Sequence, residues 1–213
     1  VKIHGLTVCV NYSDYLAASI GRWAASLASL VVVTSPEDDD TVRLCERYGV
    51  TSVPTDIFYR RGASFNKAGA MQYARNWMGS GWNLFFDADV IPPHAWLDRV
   101  ASVEPEPGNL YGAMRQEIDG SPVRELEMAG YFHLFHSEDP NARKPLQEWK
   151  HAGGYDTEFL NRWPADRQIR LPLTLTHQGE ARANWFGRGR RDAIKQMDAE
   201  RRARGGFAHE RMP

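Results

Sequence analysis

The chain has 213 residues, 42% hydrophobic and 25% charged, with 26 basic and 27 acidic side chains and a formal net charge of −1. That balance excludes a disordered chain and describes one globular domain, long enough to bury a full core without staples. Two cysteines, Cys9 and Cys45, exclude a disulfide framework and read as small buried hydrophobes of a reducing compartment. No apolar run reaches the roughly 18–20 residues that span a bilayer. The opening Val1–Val10 has no basic start, long apolar core or small-residue cleavage site, so a cytoplasmic protein with no secretion signal is expected.

In chain order, Leu6–Val10 is a short Val-rich apolar run that predicts a buried strand. Leu16, Ile20, Trp23 and Leu27 recur about one turn apart and predict a helix from Tyr15 to Leu30, with Ser13 or Asp14 as its cap. Leu30–Val33 predicts a second strand. The loop Thr34-Ser-Pro-Glu-Asp-Asp-Asp40 places acids at the start of a helix over Thr41–Tyr48, which Gly49 stops. Val50–Val53 predicts a third strand. Ala68, Met71, Ala74 and Trp77 predict a helix from Phe65 to Met78, broken by Gly79-Ser-Gly81. Trp82–Phe86 is another apolar strand, followed by Pro92-Pro93 and a helix over His94–Val103. This alternation predicts an α/β domain with a mostly parallel central sheet flanked by helices.

The second half is less regular. Strands are predicted over Leu110–Met114, Gly130–His136 and Leu171–His177, with a turn at Gly153-Gly154. The aromatic stretch 130–136, with Trp149, Trp163 and Trp185, is a candidate wall for an acceptor pocket or ordinary core. Charge is uneven: Arg182–Pro213 carries 9 basic and 4 acidic side chains. This basic tail, taken from 188 to 213 and expected to be helical, is either a solvated helix or a grip for the phosphates of DNA.

Asp87-Ala88-Asp89 follows an apolar strand, and open α/β sheets bind ligands beyond the carboxyl ends of their strands. In an extended chain both carboxylates point the same way. Two adjacent carboxylates repel unless a cation lies between them, and hard Mg²⁺ or Mn²⁺ suits oxygen ligands and shares phosphate oxygens. A haloacid-dehalogenase-type phosphohydrolase also uses Asp-x-Asp. Its motif requires Thr or Val where Ile91 stands and lies on the first strand, which disfavours that alternative.

The ordered set of features resembles the GT-A nucleotide-sugar glycosyltransferases, especially family 2-like members. The resemblance is carried by Val10-Asn11-Tyr12, by Val31–Thr41 with its acidic loop, by Arg61–Ala70, by Phe85–Asp89, by Gly153-Gly154-Tyr155-Asp156 and by His177 after an apolar strand. It implies one GT-A domain over residues 1–187, with a nucleotide-sugar half (1–100) and an acceptor half (101–187). It implies transfer of a sugar, hexosyl in type, from a nucleotide diphosphate sugar, UDP-sugar above all, to an acceptor hydroxyl with Mn²⁺ or Mg²⁺. The metal would be held by Asp87, Asp89 and His177, with Asp87 also at the ribose. Asn11, Thr34, Asp56, Asn66, Lys67 and Arg188 are the further donor-binding candidates, and Arg60 and Arg61 are additional phosphate contacts.

A carboxylate base and inversion of configuration are expected. The family's Glu-Asp after the Gly-Gly-aromatic-Asp turn is replaced by Pro164-Ala165-Asp166-Arg167, so Asp166 is the first candidate base, with Asp156 and Glu158 behind it. Two alternatives stand beside a glycan or small-molecule acceptor. One is a hydroxymethylated pyrimidine in DNA, as used by phage enzymes acting in the host cytoplasm. The other is a non-catalytic nucleotide or nucleic-acid binding module.

Overall fold

The computed structural model describes residues 1–122, 128 and 130–179. The basic tail, with Arg188, Trp185 and the expected DNA grip, lies outside the described residues.

The elements run β1 (Ile3–Val8), α1 (Ser13–Ala17), α2 (Ile20–Ser26), β2 (Ser29–Thr34), α3 (Asp39–Tyr48), β3 (Thr51–Pro54), α4 (Lys67–Ala74), β4 (Trp82–Asp87), β5 (Val90–Ile91), α5 (Trp96–Ala101), β6 (Leu110–Glu117), β7 (Phe132–His136), α6 (Pro140–Arg143), α7 (Tyr155–Leu160) and β8 (Gln168–His177). Short 3-10 turns occupy Ile57–Gly62, Arg75–Trp77 and Ala165–Arg167. The predicted helix from Tyr15 to Leu30 is two helices. The amides of Ala18 and Ser19 bond three residues back, to Tyr15 and Leu16, which tightens the turn between them. Leu27 is extended because Ser29–Thr34 is drawn into the sheet.

One eight-stranded sheet has the order β3-β2-β1-β4-β7-β6-β8-β5. Strands β1 to β4 are mutually parallel where they pair. β7 lies antiparallel to both β4 and β6, and β8 runs parallel to β6. The carboxyl ends of β1, β2, β3, β4, β6 and β8 therefore share one edge.

Two buried layers hold this sheet. One gathers Trp23, Leu84, Phe86, Trp96, Leu173 and Leu175, and the other Leu6, Val33, Met71, Phe85, Phe135 and Phe159. The alternation of β4 between them is the period-2 pattern of a strand buried on both faces. The stretch 130–136 is core: Tyr131, Phe132, His133, Leu134 and Phe135 are buried, as are Trp149 and Trp163. Trp163 donates its indole N–H to Asp139, 2.9 Å away. These aromatics belong to the two buried layers, Tyr131 and Phe132 to one and Phe135, Trp149 and Trp163 to the other. Cys9 and Cys45 are free and buried, and burial pushes each thiol up to about 12. Among the described residues no helix is long and apolar enough to cross a membrane.

Candidate active site

The residues that carry chemistry collect at the shared carboxyl edge. β4 ends on Asp87, and Ala88-Asp89 turns back into β5, so the extended alternation expected for Asp-x-Asp stops at its first acid. The backbone pins this turn from both sides. The amide of Asp87 donates to the Tyr131 carbonyl at 3.2 Å, and the amide of Gln178 donates to the Asp89 carbonyl at 2.7 Å. Trp23, its ring tilted against Phe86 at 4.2 Å between centres, adds an indole bond to the Val90 carbonyl.

The turn sends the two carboxylates to different partners. Asp87 follows Phe85 on the α4 side of the sheet and meets Lys67 Nζ at 2.5 Å. Lys67 opens α4, and its ammonium also lies 5.0 Å from the centre of the Tyr155 ring. Burial disfavours the Lys67 cation, but the Asp87 carboxylate, in charge and hydrogen bond, and the charge of Asp156 outweigh it and push its pKa well above the usual lysine range. Burial pushes Asp87 up; Lys67 opposes that, and the neighbouring Asp89 and Asp156 add to it.

Asp89 faces the other layer. Its Oδ2 lies 3.5 Å from His177 Nε2, while His177 Nδ1 lies 2.8 Å from Glu117 Oε2. Burial works against the His177 imidazolium, and the bonds to Asp89 and Glu117 outweigh it and raise its pKa.

Among the described residues no three His, Cys, Asp or Glu side chains gather as a ready-made metal cage. The expected ligand trio is corrected accordingly: Asp89 and His177 face each other, and Asp87 is turned to Lys67. The donor set still fits a shared cation. Two ligands each about 2.1 Å from one ion stand roughly 3–3.5 Å apart, and a hard divalent ion bound by few protein groups completes its shell with phosphate and water. A carboxylate with an imidazole suits Mn²⁺ in that shared role better than Mg²⁺, which prefers an all-oxygen shell.

The other candidates separate. Asp156 lies in the first turn of α7 against Gly130, close enough to act on the charges of Lys67 and Asp87. Asp166 sits before the start of β8, at the opposite edge of the sheet from His177. Ten strand residues at about 3.3 Å each put roughly 30 Å between them, so Asp166 is corrected as a base. Glu158 is held in a two-pronged pair by Arg162, at 2.7 and 3.0 Å. Asp56 pairs on the surface with Arg60. Asn66 is buried and caps α4 through the Gly69 amide, while its own amide donates to Glu148 at 2.6 Å, so its work is structural. Thr34 is likewise buried and donates to Asp38 at 2.9 Å. Asn11 is exposed at φ 58°, past the end of β1, and its amide donates to Asp38 at 2.7 Å.

Two acids of this edge carry no sequence signal of their own. Glu117 lies at the end of a strand predicted to stop at Met114, and Asp38 is one of several acids in a loop. Only the pairing of β6 with β8 and the capping of α3 single them out.

No family model matches the chain, and no curated protein matches it by sequence. Structures do. The chain is similar to Staphylococcus aureus TarS in complex with UDP-GlcNAc, with TM-score 0.65, 12% identity, and coverage of 85% of this chain and 60% of that one. It is also similar to glucosyl-3-phosphoglycerate synthase from Mycobacterium tuberculosis in complex with Mn²⁺ and UDP-glucose, with TM-score 0.62, 16% identity, and coverage of 93% of this chain and 75% of that one. A complex of the same synthase with Mn²⁺, UDP and glucosyl-3-phosphoglycerate gives TM-score 0.61 at 16% identity, over 93% and 76% of the two chains. The chain thus spans less than two thirds of the TarS fragment. What these structures share with it is the fold, the GT-A fold.

Proposed function

We propose that this chain is a cation-dependent glycosyltransferase that moves a sugar from a nucleoside diphosphate sugar, a UDP-sugar first, to an acceptor hydroxyl. One observation carries the reading: the Asp89–His177 pair, 3.5 Å apart, sits at the carboxyl edge of a GT-A sheet beside the Lys67–Asp87 pair. The neighbours' complexes with UDP-GlcNAc and with UDP-glucose and Mn²⁺ favour the same class of donor.

Asp89 and His177 would hold a divalent cation, which would supply positive charge opposite the diphosphate leaving group. Lys67, desolvated and cationic, adds a second positive centre at the start of α4. Asp87 holds that ammonium in place. Asp156, on the α7 side of the same edge, takes the proton of the acceptor hydroxyl. The acceptor oxygen bonds to the anomeric carbon as the bond from carbon to phosphate oxygen breaks, and that electron pair leaves with the diphosphate. A carboxylate base and a single displacement give inversion.

The test is a panel of UDP-, GDP- and dTDP-sugars with Mn²⁺, read by release of nucleoside diphosphate. Wild type is expected to turn over at least one donor. Asp89→Asn should lower the rate about 10²–10³-fold. Full activity in Asp89→Asn, or equal rates with Mn²⁺ and with a chelator, overturns the reading.

A further inference from the structure

We propose that Glu117 is the positioning residue of His177: it holds the ring in the tautomer whose Nε2 lone pair faces Asp89. The inference rests on the cation site argued above and deepens it. Glu117 and His177 are paired across the last rung shared by β6 and β8. Their side chains meet at 2.8 Å, Nδ1 against Oε2, whereas Nε2 and Asp89 stand 3.5 Å apart. In the neutral ring, the shorter contact claims the single proton for Nδ1, because a carboxylate only accepts. Nε2 is then left as a lone pair pointed at a second carboxylate. Two acceptors facing each other at that distance are repulsive alone and complementary around a positive ion. Glu117 and Asp89 flank opposite nitrogens of one ring, so Glu117 is an orienter and not a ligand. This is the arrangement in which a ligating histidine gives its other N–H to a carboxylate.

The fold builds the pairing on purpose-made geometry. Between Gly112 and Met114 the register with β8 shifts, from Gly112 opposite Arg170 to Met114 opposite Thr174. This irregularity carries β8 forward by two residues. Without it Glu117 would face Leu175. The shift keeps the same side chains inward, since two residues restore the alternation. Pro172 lies within the shifted stretch, where a residue without an N–H is tolerated. Bulges beside active sites re-aim side chains in this way.

Removing Glu117 has a specific consequence. Asp89 becomes the nearest acceptor, the proton moves to Nε2, and the nitrogen needed for the cation is blocked. Glutamine keeps an amide oxygen that accepts Nδ1–H, so Glu117→Gln should hold the tautomer where Glu117→Ala does not.

The experiment reads two quantities on the full chain. Imidazole ¹⁵N NMR without metal, at a pH where the ring is neutral, should give the Nδ1–H form in wild type and Glu117→Gln. It should give a mixed or Nε2–H form in Glu117→Ala. Mn²⁺ titration followed by EPR should weaken about 10–100-fold in Glu117→Ala and less in Glu117→Gln. Adding Glu117→Ala to His177→Ala should cost nothing further, because the route through the ring is already gone. An Nε2–H ring in wild type, or unchanged tautomer and Mn²⁺ affinity in Glu117→Ala, overturns the proposal. If wild type binds Mn²⁺ no better than Asp89→Asn, the cation site fails, and the tautomer measurement still decides the role of Glu117.

Discussion

Lys67 and Asp87 show how one pair serves both stability and the site. Their side chains are 14% and 31% exposed, so neither is fully screened by water. Breaking such a pair from one side leaves a poorly solvated charge, and that penalty exceeds what the pair itself contributes. Lys67→Met should therefore cost about 1–3 kcal/mol in urea unfolding. Lys67→Met with Asp87→Asn should recover part of that loss, since no charge is then stranded. Equal stability of Lys67→Met and wild type would mean that water solvates Asp87 fully. The backbone position of Gly130 belongs to the same neighbourhood. A Cβ there would stand 2.1 Å from the Cβ of Asp156, so any side chain at 130 pushes the proposed base aside.

At the level of elements, Asp38 joins three of them. Its carboxylate accepts the Asn11 amide beyond β1, the Thr34 hydroxyl at the end of β2, and the Thr41 amide in the first turn of α3. It is buried at 3% exposure, so none of these donors finds water easily if the carboxylate is removed. Asp38→Ala loses a helix cap and strands the Thr34 hydroxyl, and should cost about 3 kcal/mol. Asp38→Asn, which keeps one accepting oxygen, should cost less, with thermal unfolding as the check. This element was half legible in the sequence: acids before Thr41 announce a helix start, but nothing local selects Asp38 over Asp39 or Asp40. The same limit explains the site. Apolar runs and helical spacing reveal β1, β2, β4 and α3, because each carries its own period. His177 and the acid pair stand out through their place after strands. Glu117 and the misplacement of Asp166 depend on how β6, β7 and β8 pair over long sequence separations, and pairing leaves no local trace. α7 was equally hidden, since six residues are too few to show a period.

Across the described residues, the charges of the candidate site gather on one edge of a sheet whose interior must stay neutral, and His133 lies where the two demands meet. It is fully buried on β7, stacked 5.6 Å from Phe159, beneath the group that contains Lys67 and Asp156. Burial lowers its pKa to about 4; Asp156 and the Met128 backbone oppose that shift, and Lys67 adds to it. The unfolded chain, with an ordinary histidine near 6.5, binds the proton first as pH falls. Keeping His133 neutral therefore favours the fold above about pH 6.5, and this contribution is lost as pH drops toward about 4. The full window is worth roughly 3 kcal/mol. Carboxylates that protonate over the same range also change stability, so the informative quantity is a difference between two proteins. His133→Phe keeps a ring against Phe159 and removes the titration. Its unfolding free energy, measured in urea at several values between pH 7 and pH 4, should decline less steeply than that of wild type. Parallel declines would show that the ring is hydrated or paired when charged, and that the sheet interior tolerates a cation beneath its reactive edge.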